Sequence, residues 1–194
     1  MNLPNRITLV RLILIPFIVF FYLMSPIIYS GKIIAGVIFA IACLTDFLDG
    51  FLARKLNLVT TLGKFLDSIA DKVLVLIGFV LIVSDNTILA PFGVISLSVI
   101  LVRELSISAL RQLAASKNVI LAADKWGKVK ANFQFFCVLF YIIFSFFIDN
   151  PATISTGLYN AFNIVCLVLL GLAVVSTVVS GVHYLVQNRK VFKD

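Results

Sequence analysis

DFLDGFLARKLNLVTTLGKFLDSIAD, residues 46–71, holds four aspartates: Asp46, Asp49, Asp67 and Asp71. The surrounding chain of 194 residues is 61% hydrophobic and has only nine acidic residues, so almost half of its acids fall in this one stretch. Only 13% of the chain is charged, and its mean hydropathy is +1.12. A soluble domain of this size cannot hide that much apolar surface, and the composition indicates an integral membrane protein. No long polar segment offers a second unit, so residues 1–194 are expected to form one membrane domain. The start, MNLPNRITLVRL, runs straight into apolar sequence with no small-residue cleavage site, which predicts a retained first helix.

A bilayer-spanning helix needs roughly 20 mostly apolar residues. Six runs satisfy this, near 7–29, 33–54, 63–84, 91–116, 126–148 and 157–187. Turn signals separate them at Ser30-Gly31, Asn57 to Thr61, Asp85-Asn86 with Pro91, Asn118 to Asp124, and Asn150-Pro151. The runs are continuous and do not alternate, which favours helices over a barrel. The expected fold is therefore all-α with six transmembrane helices. Arg6, Arg11, Arg54, Lys55, Lys64, Lys117, Lys125, Lys128, Lys130, Arg189, Lys190 and Lys193 all fall on one side if the helices alternate. The other side has Lys32, Asp85 and Asp149. That asymmetry predicts an N-in, C-in protein of the cell membrane with its basic face cytoplasmic. The net charge of +7 then serves topology, anionic lipid or an anionic substrate, and nucleic acid is not an expected partner. Cys43, Cys137 and Cys166 sit in apolar runs without metal or redox spacing and are expected to be packing residues. His183, the single histidine, is expected to be structural or interfacial.

Asp46 and Asp49 are three apart, and Asp67 and Asp71 four apart, so each pair shares one helix face. If helices 2 and 3 form a hairpin, Asp46 lies level with Asp71, and Asp49 with Asp67. Asp46 and Asp71 are then each about 12 Å inside their helix ends at 1.5 Å per residue. Four carboxylates at that depth repel one another and need a cationic partner. A carboxylate-only set suits hard ions such as Mg²⁺ or Mn²⁺. Two ions bridged by shared aspartates match four carboxylates better than one, and such pairs clamp phosphoryl groups. Gly50, Gly63 and Ala53 leave room for a ligand near the backbone, and Arg54 offers a phosphate-binding fork. A cation transporter would also explain buried acids, but it would not explain Arg54 with the glycines.

The pattern Asp46-x₂-Asp49-Gly50-x₂-Ala53-Arg54-x₈-Gly63-x₃-Asp67-x₃-Asp71 resembles the complete signature of the CDP-alcohol phosphatidyltransferase family. The resemblance implies that Asp46, Asp49 and Asp67 hold two divalent ions, and that Asp71 joins that site and acts as base. It implies that Gly50, Ala53, Arg54 and Gly63 line the pocket for the CDP moiety. Asn5-x₂-Thr8-x₂-Arg11 is similar to a segment preceding the family's first helix. Asn5 and Thr8 are then expected at the nucleotide-lipid pocket, and Arg11 near the acceptor. A homodimer in a bacterial membrane is expected on the same ground.

A second polar set concerns the acceptor. Helix 4 carries Arg103, Glu104, Ser108 and Arg111, and the next loop and helix add Lys125, Lys128 and Lys130. This mostly cationic set suits an acceptor with its own phosphate, not neutral inositol or cationic choline. Arg103-Glu104-x₃-Ser108-Ala109-Leu110-Arg111 and Trp126-Gly127-Lys128-Val129-Lys130-x₃-Gln134 resemble family members that use glycerol 3-phosphate. Asp124-Lys125 before Trp126 departs slightly from that pattern. The implied reaction joins CDP-diacylglycerol to the 1-hydroxyl of glycerol 3-phosphate and releases CMP. Arg111, Lys128 and Lys130, with Arg103 and Arg11, are expected to hold the acceptor phosphate. Phosphatidylglycerol, as a cardiolipin synthase uses, and an inositol phosphate are the competing acceptors.

Overall fold

A computed structural model of the protein describes residues 3–55, 61–85, 89–117, 121, 125–150 and 153–189. The side chains of 3–4, 46–55, 61–62, 64 and 125 lie outside the described set. The elements are α1 (Leu3–Leu23), α2 (Gly31–Lys55), α3 (Thr61–Ser84), α4 (Ala90–Ser116), α5 (Lys125–Asp149) and α6 (Thr156–Gln187). Among the described residues four helices, α1, α4, α5 and α6, are long and apolar enough to cross a membrane. The apolar part of α2, Gly31–Thr45, is shorter, because its second half carries the charged motif.

Five helices match their apolar runs to within two residues, and α1 does not. It starts at Leu3 and ends at Leu23, where 7–29 was expected. A proline in the first turn costs no helical hydrogen bond, so Pro4 permits the early start. Ser25-Pro26 closes the helix, because a residue before proline is driven out of the helical region. Asn5, Thr8 and Arg11 therefore lie inside α1 and do not precede it. α6 begins behind a Ser155 cap, whose hydroxyl accepts from the Leu158 amide at 3.3 Å.

α1 packs on both α2 and α3, while α2 and α3 touch each other at only a few described positions. α5 packs on α2, α3 and α6, and α4 on α3 and α6. At the described positions α2 and α3 thus leave a gap flanked by α1 and α5, where a direct hairpin was expected. Apolar runs locate helices but do not say which ones touch.

Buried faces follow helical spacing. On α1, Asn5, Thr8, Arg11, Ile15, Ile18 and Tyr22 are all buried, polar at one end and apolar in the middle. Phe39, Phe79, Ile82, Ile100, Val138 and Ile142 continue the core. α3 and α5 meet closely at Gly78, where a Cβ would come within 2.2 Å of Val138 Cγ1. Outward faces are apolar as well: Ile13, Val102, Phe136, Ile164 and Val186 are each more than half exposed. A bundle apolar inside and out is built for lipid, and the protein is an all-helical, multi-pass membrane protein.

The end opposite the aspartate motif is held by Lys32. Its Nζ donates to Asp149 Oδ1 at 3.0 Å, Asp85 Oδ2 at 3.3 Å and the Ser145 carbonyl at 3.3 Å. Tyr22 and Tyr141 donate to Asp85 Oδ2 at 2.6 and 3.0 Å. This network ties α1, α2, α5 and the end of α3 together.

Candidate active site

The aspartate motif lies at the other end of the bundle. Asp67 and Asp71 are one turn apart near the start of α3, whereas Asp46 and Asp49 fall in the last turns of α2, where side chains lie outside the described residues. So do the side chains of Ala53 and Arg54, and Gly50 belongs to the same stretch. Gly63 is in the first turn of α3 and is half-buried. Among the described residues, no three His, Cys, Asp or Glu side chains gather at one point.

α1 supplies a buried cation to this region. Arg11 is fully buried, and its Nη1 lies 3.4 Å from Asp67 Oδ1, while the Asp67 side chain is half exposed. Thr8 and Asn5 are buried about one and two turns earlier on the same face. Arg11, expected near the acceptor, is paired with a carboxylate of the motif and lines a cavity together with Asp71.

A cavity of about 410 Å³ fills the gap between α2 and α3. Arg11 from α1, Cys43 and Leu44 from α2, Asp71, Leu74 and Val75 from α3, and Ala131, Asn132, Phe135 and Phe136 from α5 line it. Phe39 stacks on Phe135 at 5.7 Å between ring centres. Among the described residues most of the lining is apolar, with Asp71 and Arg11 as its charged groups. Leu44 and Phe136 are strongly exposed, so the cavity opens sideways towards lipid as well as onto Asp71.

On its other flank Asp71 faces a small space of about 20 Å³, shared with Glu104, Lys130 and Gln134. Lys130 and Glu104 are both buried and form a direct ion pair between α5 and α4. Glu104 also accepts from Arg103 Nη1 at 3.1 Å. Arg103 Nη2 donates to Ser180 Oγ at 3.2 Å. The Arg103 side chain lies along Gly181, where a Cβ would come 3.1 Å from its Cγ. Further along α4, Arg111 is exposed, donates from Nε to the Tyr184 hydroxyl at 3.2 Å, and sits over that ring at 5.4 Å. Lys128 is exposed.

Of the five cations expected around an acceptor phosphate, Arg103 and Lys130 thus come together on Glu104. Arg111 stands two turns away on the same helix. Lys128 is on the surface, and Arg11 lies on the far side with Asp67. The α6 partners Thr177, Ser180 and Tyr184 escaped the sequence reading, which saw only an apolar run. Their spacing of three and four is the signal: one small-polar stripe on an oily helix. Gln134 bonds to Thr177 at 2.9 Å in that seam. The remaining polar singletons are structural: His183 lies edge-on to Trp126 at 6.4 Å, and Cys137 and Cys166 are buried thiols of the core.

Six helices, a carboxylate motif across α2 and α3 and a cationic set on α4 and α5 define a class, and a family comparison identifies it. The chain belongs to the CDP-alcohol phosphatidyltransferase family, whose model matches residues 1–179, and is by that membership a transferase. Among its relatives, the CDP-diacylglycerol–glycerol-3-phosphate 3-phosphatidyltransferase of Bacillus subtilis is 34% identical over 204 aligned positions, covering 99% of this chain and 97% of that protein. The Escherichia coli K12 protein of the same name is 43% identical over 136 positions, covering 69% and 72%. That of Wigglesworthia glossinidia is 40% identical over 142 positions, covering 71% and 75%.

Proposed function

We propose that this chain transfers the phosphatidyl group of CDP-diacylglycerol to the 1-hydroxyl of glycerol 3-phosphate, giving phosphatidylglycerophosphate and CMP. The observation that carries the choice of acceptor is the Arg103–Glu104–Lys130 cluster directly beside Asp71. Relatives covering nearly the whole chain bear the name of this activity.

Asp71 opens on both cavities, one apolar and lateral, the other small and polar. That position suits a base standing between a lipid donor and a polar acceptor. Asp71 accepts the proton of the acceptor hydroxyl, the hydroxyl oxygen bonds to the phosphatidyl phosphorus, and the bond from that phosphorus to CMP breaks. Arg11 offsets the charge of Asp67 and fixes α1 against α3. Asn5, Thr8, Gly50, Ala53, Arg54 and Gly63 are assigned to the CDP pocket. Arg103, Arg111, Lys128 and Lys130 are assigned to the acceptor phosphate. The diacyl tails stay in lipid beside the lateral opening.

Two divalent ions, Mg²⁺ or Mn²⁺, are assigned to Asp46, Asp49, Asp67 and Asp71. The donor chemistry supports this: all four side chains are carboxylates, whose hard oxygens suit such ions. Such ions, when bound, neutralise charge on the pyrophosphate and on the departing CMP. The same reading takes residues 1–194 as one domain with six spans, N-in and C-in, acting as a homodimer in a bacterial plasma membrane. The end of the bundle that holds the aspartates then faces the cytoplasm, where the soluble acceptor is found.

The test is turnover of labelled CDP-diacylglycerol by purified protein in detergent, with glycerol 3-phosphate, phosphatidylglycerol, inositol phosphate and inositol offered in parallel. Phosphatidylglycerophosphate with stoichiometric CMP from glycerol 3-phosphate alone is the expected outcome. Preferred use of another acceptor would overturn the assignment.

A further inference from the structure

An anion-binding site with a carboxylate at its centre needs explanation. Glu104 stands between two cations, Arg103 and Lys130, and shares a small space with Asp71. Its charge would repel a phosphate. Yet a buried Lys130 and a largely enclosed Arg103 without a counter-ion would be costly while the site is empty. Glu104 is 9% exposed and Lys130 7% exposed, so water cannot take over that role. The space bounded by Asp71, Glu104, Lys130 and Gln134 is about 20 Å³. That is room for about one water molecule and not for a phosphate. Arg103 also keeps its Nε buried without a hydrogen-bond partner among the described residues.

We propose that Glu104 is a built-in counter-ion occupying the seat of the acceptor's phosphate, and that the phosphate binds by taking Lys130 and Arg103 from it. This rests on the acceptor reading given above. A phosphate monoester brings nearly two charges and three acceptor oxygens against one carboxylate, so the exchange favours it. A neutral polyol cannot make the exchange and leaves the Glu104–Lys130 pair closed. Arg111, exposed two turns along α4, meets the phosphate before the pair opens. Glu104 is thereby a positioning and specificity-determining residue. It makes phosphate the condition for opening the space next to Asp71, at the expense of some acceptor affinity.

The test uses the full-length protein in detergent with inorganic phosphate as competitor of glycerol 3-phosphate. In Glu104→Gln the seat has no rival anion. The apparent KM for glycerol 3-phosphate and the inhibition constant of inorganic phosphate should both fall about tenfold, with the KM for CDP-diacylglycerol unchanged. Glu104→Asp keeps the charge on a shorter arm and should fall between; it serves equally if the glutamine variant fails to fold. A purely structural Glu104 would lower thermal stability and leave both acceptor constants where they were, and that result overturns the proposal. If inorganic phosphate does not compete with the acceptor even in the wild type, the acceptor site is misplaced and both readings fall together. Competition in the wild type with unchanged constants in both variants removes the Glu104 role alone.

Discussion

The two ends of the bundle use the same side chains to opposite effect. At one end Lys32 is wrapped by Asp85, Asp149 and a carbonyl, and two tyrosine hydroxyls complete Asp85. At the other end Asp67 has Arg11 at 3.4 Å, Asp71 faces two cavities, and Lys130 and Arg103 share one glutamate. The cavity beside Lys32, about 600 Å³, is larger than the one beside Asp71, about 410 Å³. Size alone would choose the wrong end. Pairing distinguishes them: the Lys32 end closes its charges on one another across four helices, which is how a bundle is held shut. The aspartate end holds several charges of one sign on neighbouring turns, which is how a site is kept ready for a charged ligand.

The sharpest way to break this contrast is to neutralise one carboxylate at the open end. Asp71→Asn should lower kcat about 10²- to 10⁴-fold, the range of a general base, with the melting temperature in detergent little changed. Asp67→Asn should weaken divalent-ion binding more than Asp71→Asn does. A variant at 71 that unfolds but turns over normally when cold would reverse the assignment of the two ends.

Lys32→Met should do the converse. It leaves Asp85 and Asp149 facing each other without their cation, and breaking a buried pair costs about 3–5 kcal/mol. Asp149 is partly exposed, so the lower part of that range is expected. Thermal unfolding should drop by several degrees, while turnover per folded molecule is kept. A loss of activity without loss of stability would make the Lys32 end functional.

Much of this was legible beforehand, for identifiable reasons. Hydropathy located six helices, because each carries a long apolar run, even α2, whose second half is charged. Residue spacing placed Asp67 and Asp71 on one face, and Lys32, Asp85 and Asp149 on the opposite side from the basic residues. Partner choice was not legible. Setting Asp46 level with Asp71 and Asp49 level with Asp67 requires α2 directly against α3, but α1 packs on both and its Arg11 enters beside Asp67. Lys130 looked like a cation near a loop; it is buried because Glu104, distant in sequence, awaits it on α4. Long-range ion pairs leave no periodic trace.

Smaller effects sharpen the picture. Arg111→Ala removes one charge-assisted contact and should raise the apparent KM for glycerol 3-phosphate about 10- to 150-fold, corresponding to about 1.5–3 kcal/mol. The KM for CDP-diacylglycerol should stay close to wild type. Arg111→Lys should recover part of the loss, because a point charge does not replace the planar fork. Gly78→Ala lies between the two ends and should cost about 1–3 kcal/mol of stability by forcing α3 from Val138, with acceptor and donor constants unaffected.

The central claim is that the carboxylates of α2 and α3 are one ion-binding site. Counting bound Mn²⁺ by electron paramagnetic resonance tests it most directly, on wild type and on Asp46→Asn, Asp49→Asn, Asp67→Asn and Lys32→Met, each with CDP-diacylglycerol present. Two Mn²⁺ per chain in the wild type and in Lys32→Met, with at least one lost in every aspartate variant, is the predicted result. Equal Mn²⁺ binding by the wild type and the aspartate variants would contradict it.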